Sequence, residues 1–540
     1  MSPGADLPWE TVGHLARWAF EHHGERPAVV EGGRATTYAE LGAVSEGAAR
    51  ALVASGVEAG DRVALWAPNG LEWVAAALGL QLAGGVLVPL STRYRTAEAT
   101  YILNRSRARI LVTVGEFLGT RYPDLIATQD LPHLELTVVT GAGSTAAGGA
   151  GGPATSAVTT WADFLRRADS ADARIVDRRL AATGPDDTCD LMFTSGTTGA
   201  PKGVVSCHAQ TLRAFRQWAT IVGLEPGDRY LLVNPMSHSF GYKAGILASL
   251  MTGATMVPLP VFDVDAVFRT IPTESITVLP GPPTLYQSLL DHPGRAGADL
   301  SSLRLAVTGA AVIPTDLVRR MRTELGFETV ITAYGLTEAS GFVTACRRGD
   351  PDDVIASTSG RAIDGVEVKV VDDSGAEVPR GTPGEIVCRG YNVMLGYFED
   401  PEATAETIDS AGWLHTGDIG TMDGAGNISV TDRKKDMFIV GGFNAYPAEI
   451  ENVLRGHPGV AQVAVVGAPD GRLGEVPVAF VVPSADAPDS LPEDLVVWAK
   501  EQMANYKVPR HVSVVESLPV NASGKVLKTE LRKLAAPGRP

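Results

Sequence analysis

Apolar positions recur at helical spacing from Leu41 through Val44 and Ala48 to Leu52. Thr37-x-x-Glu40 just ahead of them has the form of a capping box, so the pattern predicts a helix beginning after Thr37. Gly56-Val57 ends it before a strand, Arg62-Val-Ala-Leu-Trp66. Pro68-Asn69-Gly70 then turns into an almost wholly apolar stretch from Trp73 to Leu90, interrupted by Gln81, Gly84-Gly85 and Pro89. Those interruptions divide it into a helix of about ten residues and a following strand, 85–89, which suits a buried α/β core and not a bilayer span.

Short apolar runs at 189–193, 230–235, 276–280 and 303–308 continue the alternation. Strands alternating with helices predict parallel-rich sheets with helices on their faces. Between about Gly341 and Asn427 the texture changes to short alternating strands, 366–372 and 384–388, with turns such as Asp373-Ser-Gly375. Local hairpins of this kind predict a small antiparallel barrel or sheet. The last hundred residues read as a separate α+β unit with a helix over 445–454 and strands at 463–466 and 476–482. There Ser490-x-x-Glu493 is expected to cap a helix carrying Leu495, Trp498, Ala499 and Met503. The charge run Asp432-Arg-Lys-Lys-Asp436 lies between two apolar strands, where a linker or hinge is expected. The predicted fold is α/β: an N-terminal domain, 1–433, of two parallel-rich subdomains plus a β-barrel-like part at about 341–430, then a mobile α+β domain, 434–540.

Composition narrows the function without naming it. The chain has 540 residues, 45% of them apolar, and a formal net charge of −16, which argues against a general binder of nucleic acid or anionic membranes. Four scattered cysteines (Cys189, Cys207, Cys346, Cys388) without a C-x-x-C pair fit reduced thiols in a cytoplasmic protein. The first residues have neither a basic nor an apolar signal region, and the low-complexity run 141–152 reads as a surface excursion.

Candidate chemistry starts at Phe193-Thr-Ser-Gly-Thr-Thr-Gly-Ala-Pro-Lys-Gly-Val204. Thr194, Ser195, Thr197 and Thr198 set hydroxyls among Gly196 and Gly199, and Lys202 adds a charge. Glycines bring backbone N–H groups close to phosphate oxygens, and a lysine is a point charge for a polyphosphate. A Walker A loop is excluded, because Gly196 and Gly199 stand three apart and glycine follows Lys202. Alone, the segment could equally be a surface loop. Four others follow in order: Tyr334-Gly-Leu-Thr-Glu338, Gly412-Trp-Leu-His-Thr-Gly-Asp418, Asp432-Arg433 through Gly441-Gly442, and Pro519-Val-Asn-Ala-Ser-Gly-Lys525.

In that order, over roughly residues 10–535, these segments resemble the adenylate-forming superfamily of acyl-CoA synthetases, peptide-synthetase adenylation domains and luciferases. Pro235-x-x-His238 and the run Gly441 to Glu451 look most like the free-standing acyl-CoA synthetases. Phe240-Gly-Tyr-Lys-Ala-Gly245 and Pro280-Gly-Pro-Pro-Thr-Leu-Tyr286 are similar to actinobacterial members, some of which activate fatty acids or steroid fragments. The resemblance implies that a carboxylate attacks the α-phosphorus of MgATP, giving an acyl-adenylate and pyrophosphate, and that coenzyme A then takes the acyl group. It implies that Thr194 to Lys202 hold the β- and γ-phosphates, that Thr337 meets the α-phosphate, and that Glu338 with Thr337 binds Mg²⁺. Adenine would lie between Tyr334-Gly335 and Gly309-Ala310-Ala311, with Asp418 on the ribose and Arg433 assisting. Lys525 would bridge carboxylate and α-phosphate. Lys435 maps to the hinge, where many relatives have Asp, and Gly441-Gly442 would leave room for the pantetheine arm. His238 would gate the acyl and thiol channels, with Phe240, Gly241, Pro282 and Gly309 lining an acyl pocket for a bulky cyclic or medium-to-long acid.

The same scaffold is compatible with another acceptor or oxyanion, such as a carrier protein, or nitrite activated for diazotisation of an aromatic amine. A non-catalytic nucleotide binder would be expected to lack Lys525, Glu338 or Asp418, and all three are present. A serine hydrolase has no G-x-S-x-G elbow here. Oligomeric state is left open, a homodimer included.

Overall fold

The computed structural model describes residues 8–141, 156–194, 201–309, 315–433, 436–440, 443–445, 447–470, 473–503, 505–520 and 526–535. Its compact units are residues 1–367 with 388–414, and residues 368–387 with 415–540.

The first unit is built on two sheets. Among the described residues, one has nine strands and the other eight. In the first, Thr329–Tyr334, Leu305–Gly309, Val278–Pro280, Arg229–Leu232, Thr255–Pro258 and Pro27–Glu31 run parallel in that spatial order. In the second, Thr188–Thr194, Val86–Pro89, Arg62–Trp66, Ile110–Val114, Leu136–Thr140 and Ala157–Thr160 run parallel. Lys202–Cys207 turns back antiparallel beside Thr188–Thr194. Strands buried on both faces read as unbroken apolar runs rather than alternating ones, which is how these appear in the sequence.

Several local expectations hold closely. The helix Tyr38–Ala54 starts from a capping box in which Glu40 N donates to Thr37 Oγ1 and Thr37 N to Glu40 Oε2. The apolar stretch becomes the buried helix Leu71–Leu82 and the strand Val86–Pro89. No helix among the described residues is long and apolar enough to cross a membrane.

The second unit contains most of a four-stranded sheet, ordered Val366–Val371, Gly384–Gly390, Leu414–Met422, Ile428–Arg433, and a five-stranded one built on Val460–Asp470 and Gly474–Pro483. Two predictions are corrected there. The expected helix from 445 begins only at Pro447, because Phe443–Ala445 pairs with Phe438–Val440 as a strand. Ser490 precedes the helix Leu491–Gln502 without capping it; its hydroxyl donates to Asp494.

Candidate active site

Four neighbouring parallel strands end side by side: Arg229–Leu232, Val278–Pro280, Leu305–Gly309 and Thr329–Tyr334. The crevice beyond such carboxyl ends is where open α/β sheets bind ligands, since loops there carry side chains on a rigid frame. His238, Phe240 and Gly241 follow the first strand, Pro282 the second, Gly309 closes the third, and Tyr334-Gly335 the fourth. A Cβ at Gly309 would collide with the carbonyl oxygen of Ala333, and one at Gly241 with that of Pro235. Both glycines are therefore required by close backbone approach.

The loop leading to His238 is pinned by two asparagines that the sequence reading did not single out as functional. Asn69 Nδ2 donates to the carbonyls of Leu232 (2.9 Å) and Asn234 (3.0 Å), and its Oδ1 accepts from Met236 N at 2.8 Å. Asn234 Nδ2 donates to Pro280 O at 3.2 Å, joining two of the strand ends. His238 Nδ1 accepts from Phe240 N at 3.2 Å, so the neutral ring carries its proton on Nε2. The ring is exposed, and partial desolvation by the protein around it holds its pKa below the usual histidine range. It is neutral at pH 7.

The phosphate-loop candidate is the connection of a hairpin: Thr194 pairs with Lys202 across Thr188–Thr194 and Lys202–Cys207. The short helical turn Thr337–Ala339 sets Glu338 against this hairpin, with Thr194 Oγ1 donating to Glu338 Oε1 at 3.4 Å. Tyr397 joins them. Its hydroxyl donates to the same carboxylate oxygen at 3.1 Å, and Lys202 Nζ lies 5.0 Å from its ring centroid. Burial, then the nearby Glu338 charge, push the phenol pKa up, so Tyr397 stays a donor. Backbone bonds secure it: Leu395 N to Val205 O (3.0 Å), Phe398 N to Gly203 O (2.7 Å) and Met394 N to Glu338 O (2.8 Å). Tyr397 was missed because Gly396-Tyr397 lies about sixty residues from Glu338 and nearly two hundred from Lys202, and has no spacing signal of its own.

Behind the hairpin, Lys243 Nζ lies 3.0 Å from Asp190, with both side chains buried, and 3.2 Å from Ser206 Oγ. Lys243 belongs to a π-helical turn, Tyr242–Leu247, directly after Gly241. In the second unit Asp418 is buried on Leu414–Met422, its N donates to Thr416 Oγ1 at 3.1 Å, and it stands opposite Arg433 in the strand register. Ser195, Gly196, Thr197, Thr198, Gly199, Ala310, Ala311, Lys435, Gly441, Gly442 and Lys525 lie outside the described residues.

The described geometry brings the phosphate hairpin, Glu338 and the strand-end walls together in one unit. Family models agree with it: AMP-binding enzyme matches residues 15–398 and AMP-binding enzyme C-terminal domain matches 449–525. The chain belongs to the AMP-binding enzyme family. It is 49% identical to a 3-[(3aS,4S,7aS)-7a-methyl-1,5-dioxo-octahydro-1H-inden-4-yl]propanoyl:CoA ligase of Rhodococcus jostii (strain RHA1), over 98% of this chain and 99% of that one. A ligase of the same name from Mycobacterium tuberculosis (strain ATCC 25618 / H37Rv) is also 49% identical, over 94% and 96%. Among solved structures, the anthranilate CoA ligase AuaEII in complex with anthranoyl-AMP superposes with a TM-score of 0.87 at 28% identity, covering 99% of both chains. This AMP-binding enzyme is thus an adenylate-forming acid–thiol ligase whose relatives are acyl-CoA ligases, as the motifs imply.

Proposed function

We propose that this AMP-binding enzyme activates a compact, ring-bearing carboxylic acid with MgATP and transfers the acyl group to coenzyme A in the cytoplasm. The observation that carries the reading is the convergence of Thr194 and Tyr397 on Glu338, with Lys202 over the Tyr397 ring, in the unit whose parallel strands end in glycine- and proline-bearing segments. Two anions must meet at the α-phosphorus, so most of the catalysis is positioning and charge compensation. Lys202 and the hydroxyls of the 194–199 loop supply donors to the outer phosphates. Thr337 orients the α-phosphate, Tyr334 and the 309–311 backbone flank adenine, and Asp418 with Arg433 takes the ribose.

Glu338 suits a magnesium ion. Its Oε1 is held by two hydroxyl donors, while Oε2 has no hydrogen-bond partner among the described residues. One carboxylate plus substrate phosphates is how enzymes usually hold Mg²⁺, which keeps much of its water. With Thr337 beside it, Glu338 would carry an ion that offsets phosphate charge. Lys525 would then bridge the carboxylate and the α-phosphate, and His238, neutral, would separate acyl from thiol channel without adding charge.

Support for a ring-bearing acid comes from the short proline- and aromatic-bearing walls and from the indene-propanoyl substrate in the printed name of the 49%-identical relatives. A pyrophosphate-release screen tests it, with ring-bearing propionates, straight-chain acids, and nitrite plus an aromatic amine, each with and without coenzyme A. The expected result is thioester product and a kcat/KM at least about tenfold higher for the ring-bearing acids. Turnover indifferent to coenzyme A, or best with nitrite, would overturn the reading.

A further inference from the structure

The C-terminal sheet carries helices on both faces, and they are joined around its edge. Ile450 and Leu454 of the helix Pro447–Leu454 pack with Val463 and Val465, whereas Leu531 of the last helix, Lys528–Ala535, packs with Ala464, Val466, Val478 and Phe480. Successive strand residues point to opposite faces, so the two helices cover opposite sides of Val460–Asp470. Among the described residues that strand pairs with Gly474–Pro483 alone, which makes it an edge. An edge leaves backbone N–H groups to be satisfied. Glu451 does this: its Oε1 accepts from Val465 N at 2.8 Å and also pairs with Lys528 Nζ, 2.9 Å away, from the opposite face. One turn on, Arg532 Nη2 donates to Asp436 Oδ1 at 3.0 Å. Residues 528 and 532 are four apart, so both cations project from one side of the helix. Asp436 is next in the chain to Lys435, and Lys528 stands three residues after Lys525.

We infer that these two ion pairs bind the last helix to the hinge end of the C-terminal unit, making Asp436, Glu451, Lys528 and Arg532 positioning residues for the Lys525 loop. The inference rests on the proposed role of Lys525. Val520 pairs with Val526 and Leu527 N donates to Pro519 O at 2.8 Å, so both flanks of the lysine segment are tied to the start of the last helix. With that helix loosely docked Lys525 would sample many placements, and an ångström of misplacement is enough to cost about a hundredfold in rate. Burial of Leu531, with Ala535 packed beside it, fixes the helix less firmly against rolling about its axis than the charged contacts do. Arg455 also approaches Glu451, at 3.6 Å. Losing Lys528 therefore leaves the Glu451 carboxylate paired, and the effect falls on docking of the tail rather than on stability of the unit.

The test uses the full chain with Lys528→Met, Arg532→Met, and the exchanged pair Asp436→Arg with Arg532→Asp. Backbone hydrogen exchange of residues 526–535 is expected to rise at least about tenfold in the two single variants, with 460–470 still protected. Single-turnover adenylation should fall by about ten- to a hundredfold, while thioester formation from pre-made acyl-adenylate stays within about threefold. The exchanged pair should recover most of both. Unchanged exchange at 526–535 overturns the clamp. Equal loss in both half-reactions, no loss in either, or no recovery in the exchanged pair overturns the positioning role. If the wild type forms no acyl-adenylate from any acid, the functional reading falls, and the exchange measurement alone then decides whether the clamp exists.

Discussion

Glu338 takes hydroxyl donors from two sides, Thr194 of the phosphate hairpin and Tyr397 of a strand that arrives much later in the chain. Those donors hold one oxygen of the carboxylate, so the tyrosine fixes a charge without contributing one. Hydrogen bonds to a charged group are worth about 1.5–3 kcal/mol. Tyr397→Phe, which keeps the ring beside Lys202, is accordingly expected to lower kcat/KM for ATP by about ten- to a hundredfold with unchanged thermal unfolding. Glu338→Gln should lose about two to three powers of ten and require more Mg²⁺ for half-maximal rate. A Mg²⁺ titration of both variants checks this; a glutamine variant with wild-type Mg²⁺ dependence would remove the ion from Glu338. Glu338 and Lys202 could be picked out by reading along the chain because each lies in a compact cluster of chemically matched residues. Tyr397 could not, since its role comes from pairing beside Val204.

At the scale of elements, the strand that feeds the phosphate hairpin and the turn that follows His238 are joined by the Asp190–Lys243 pair. Both side chains are buried, and Asp190 Oδ1 has no hydrogen-bond partner among the described residues. Removing one member of a buried pair strands the other charge, whereas replacing both with apolar groups of similar size is often neutral. Lys243→Met should therefore destabilise the chain by about 3–5 kcal/mol, and Asp190→Leu added to it should recover most of that loss. Urea unfolding of the single and double variants reads this directly, and a double variant no more stable than the single would count against the pair. The helices and strands around this pair were legible from apolar spacing. The π-helical turn was not, because an i→i+5 ladder has no sequence period distinct from an ordinary helix over one turn.

For the whole molecule, the proposed reaction draws on residues from Thr194 to Lys525, more than three hundred positions apart in the chain. Lys525→Ala is expected to reduce single-turnover adenylation by about two to four powers of ten while thioester formation from pre-made acyl-adenylate survives. Loss of the same size in both steps would remove Lys525 from its assigned role.

The amino-acid sequence by itself determined the order of strands and helices, the character of each region, and the set of polar segments that mark the superfamily. These are local properties, written in the spacing of apolar residues and in short runs where glycine, hydroxyl and charge stand close together. Tertiary structure decided which strand ends lie side by side, that Asn69 and Asn234 pin the His238 loop, that Tyr397 and Thr194 share one carboxylate, and that Lys528 reaches Glu451 around a sheet edge. Such pairings depend on strand order and register, which many sequences of the same pattern could satisfy differently, and only the packed chain selects one.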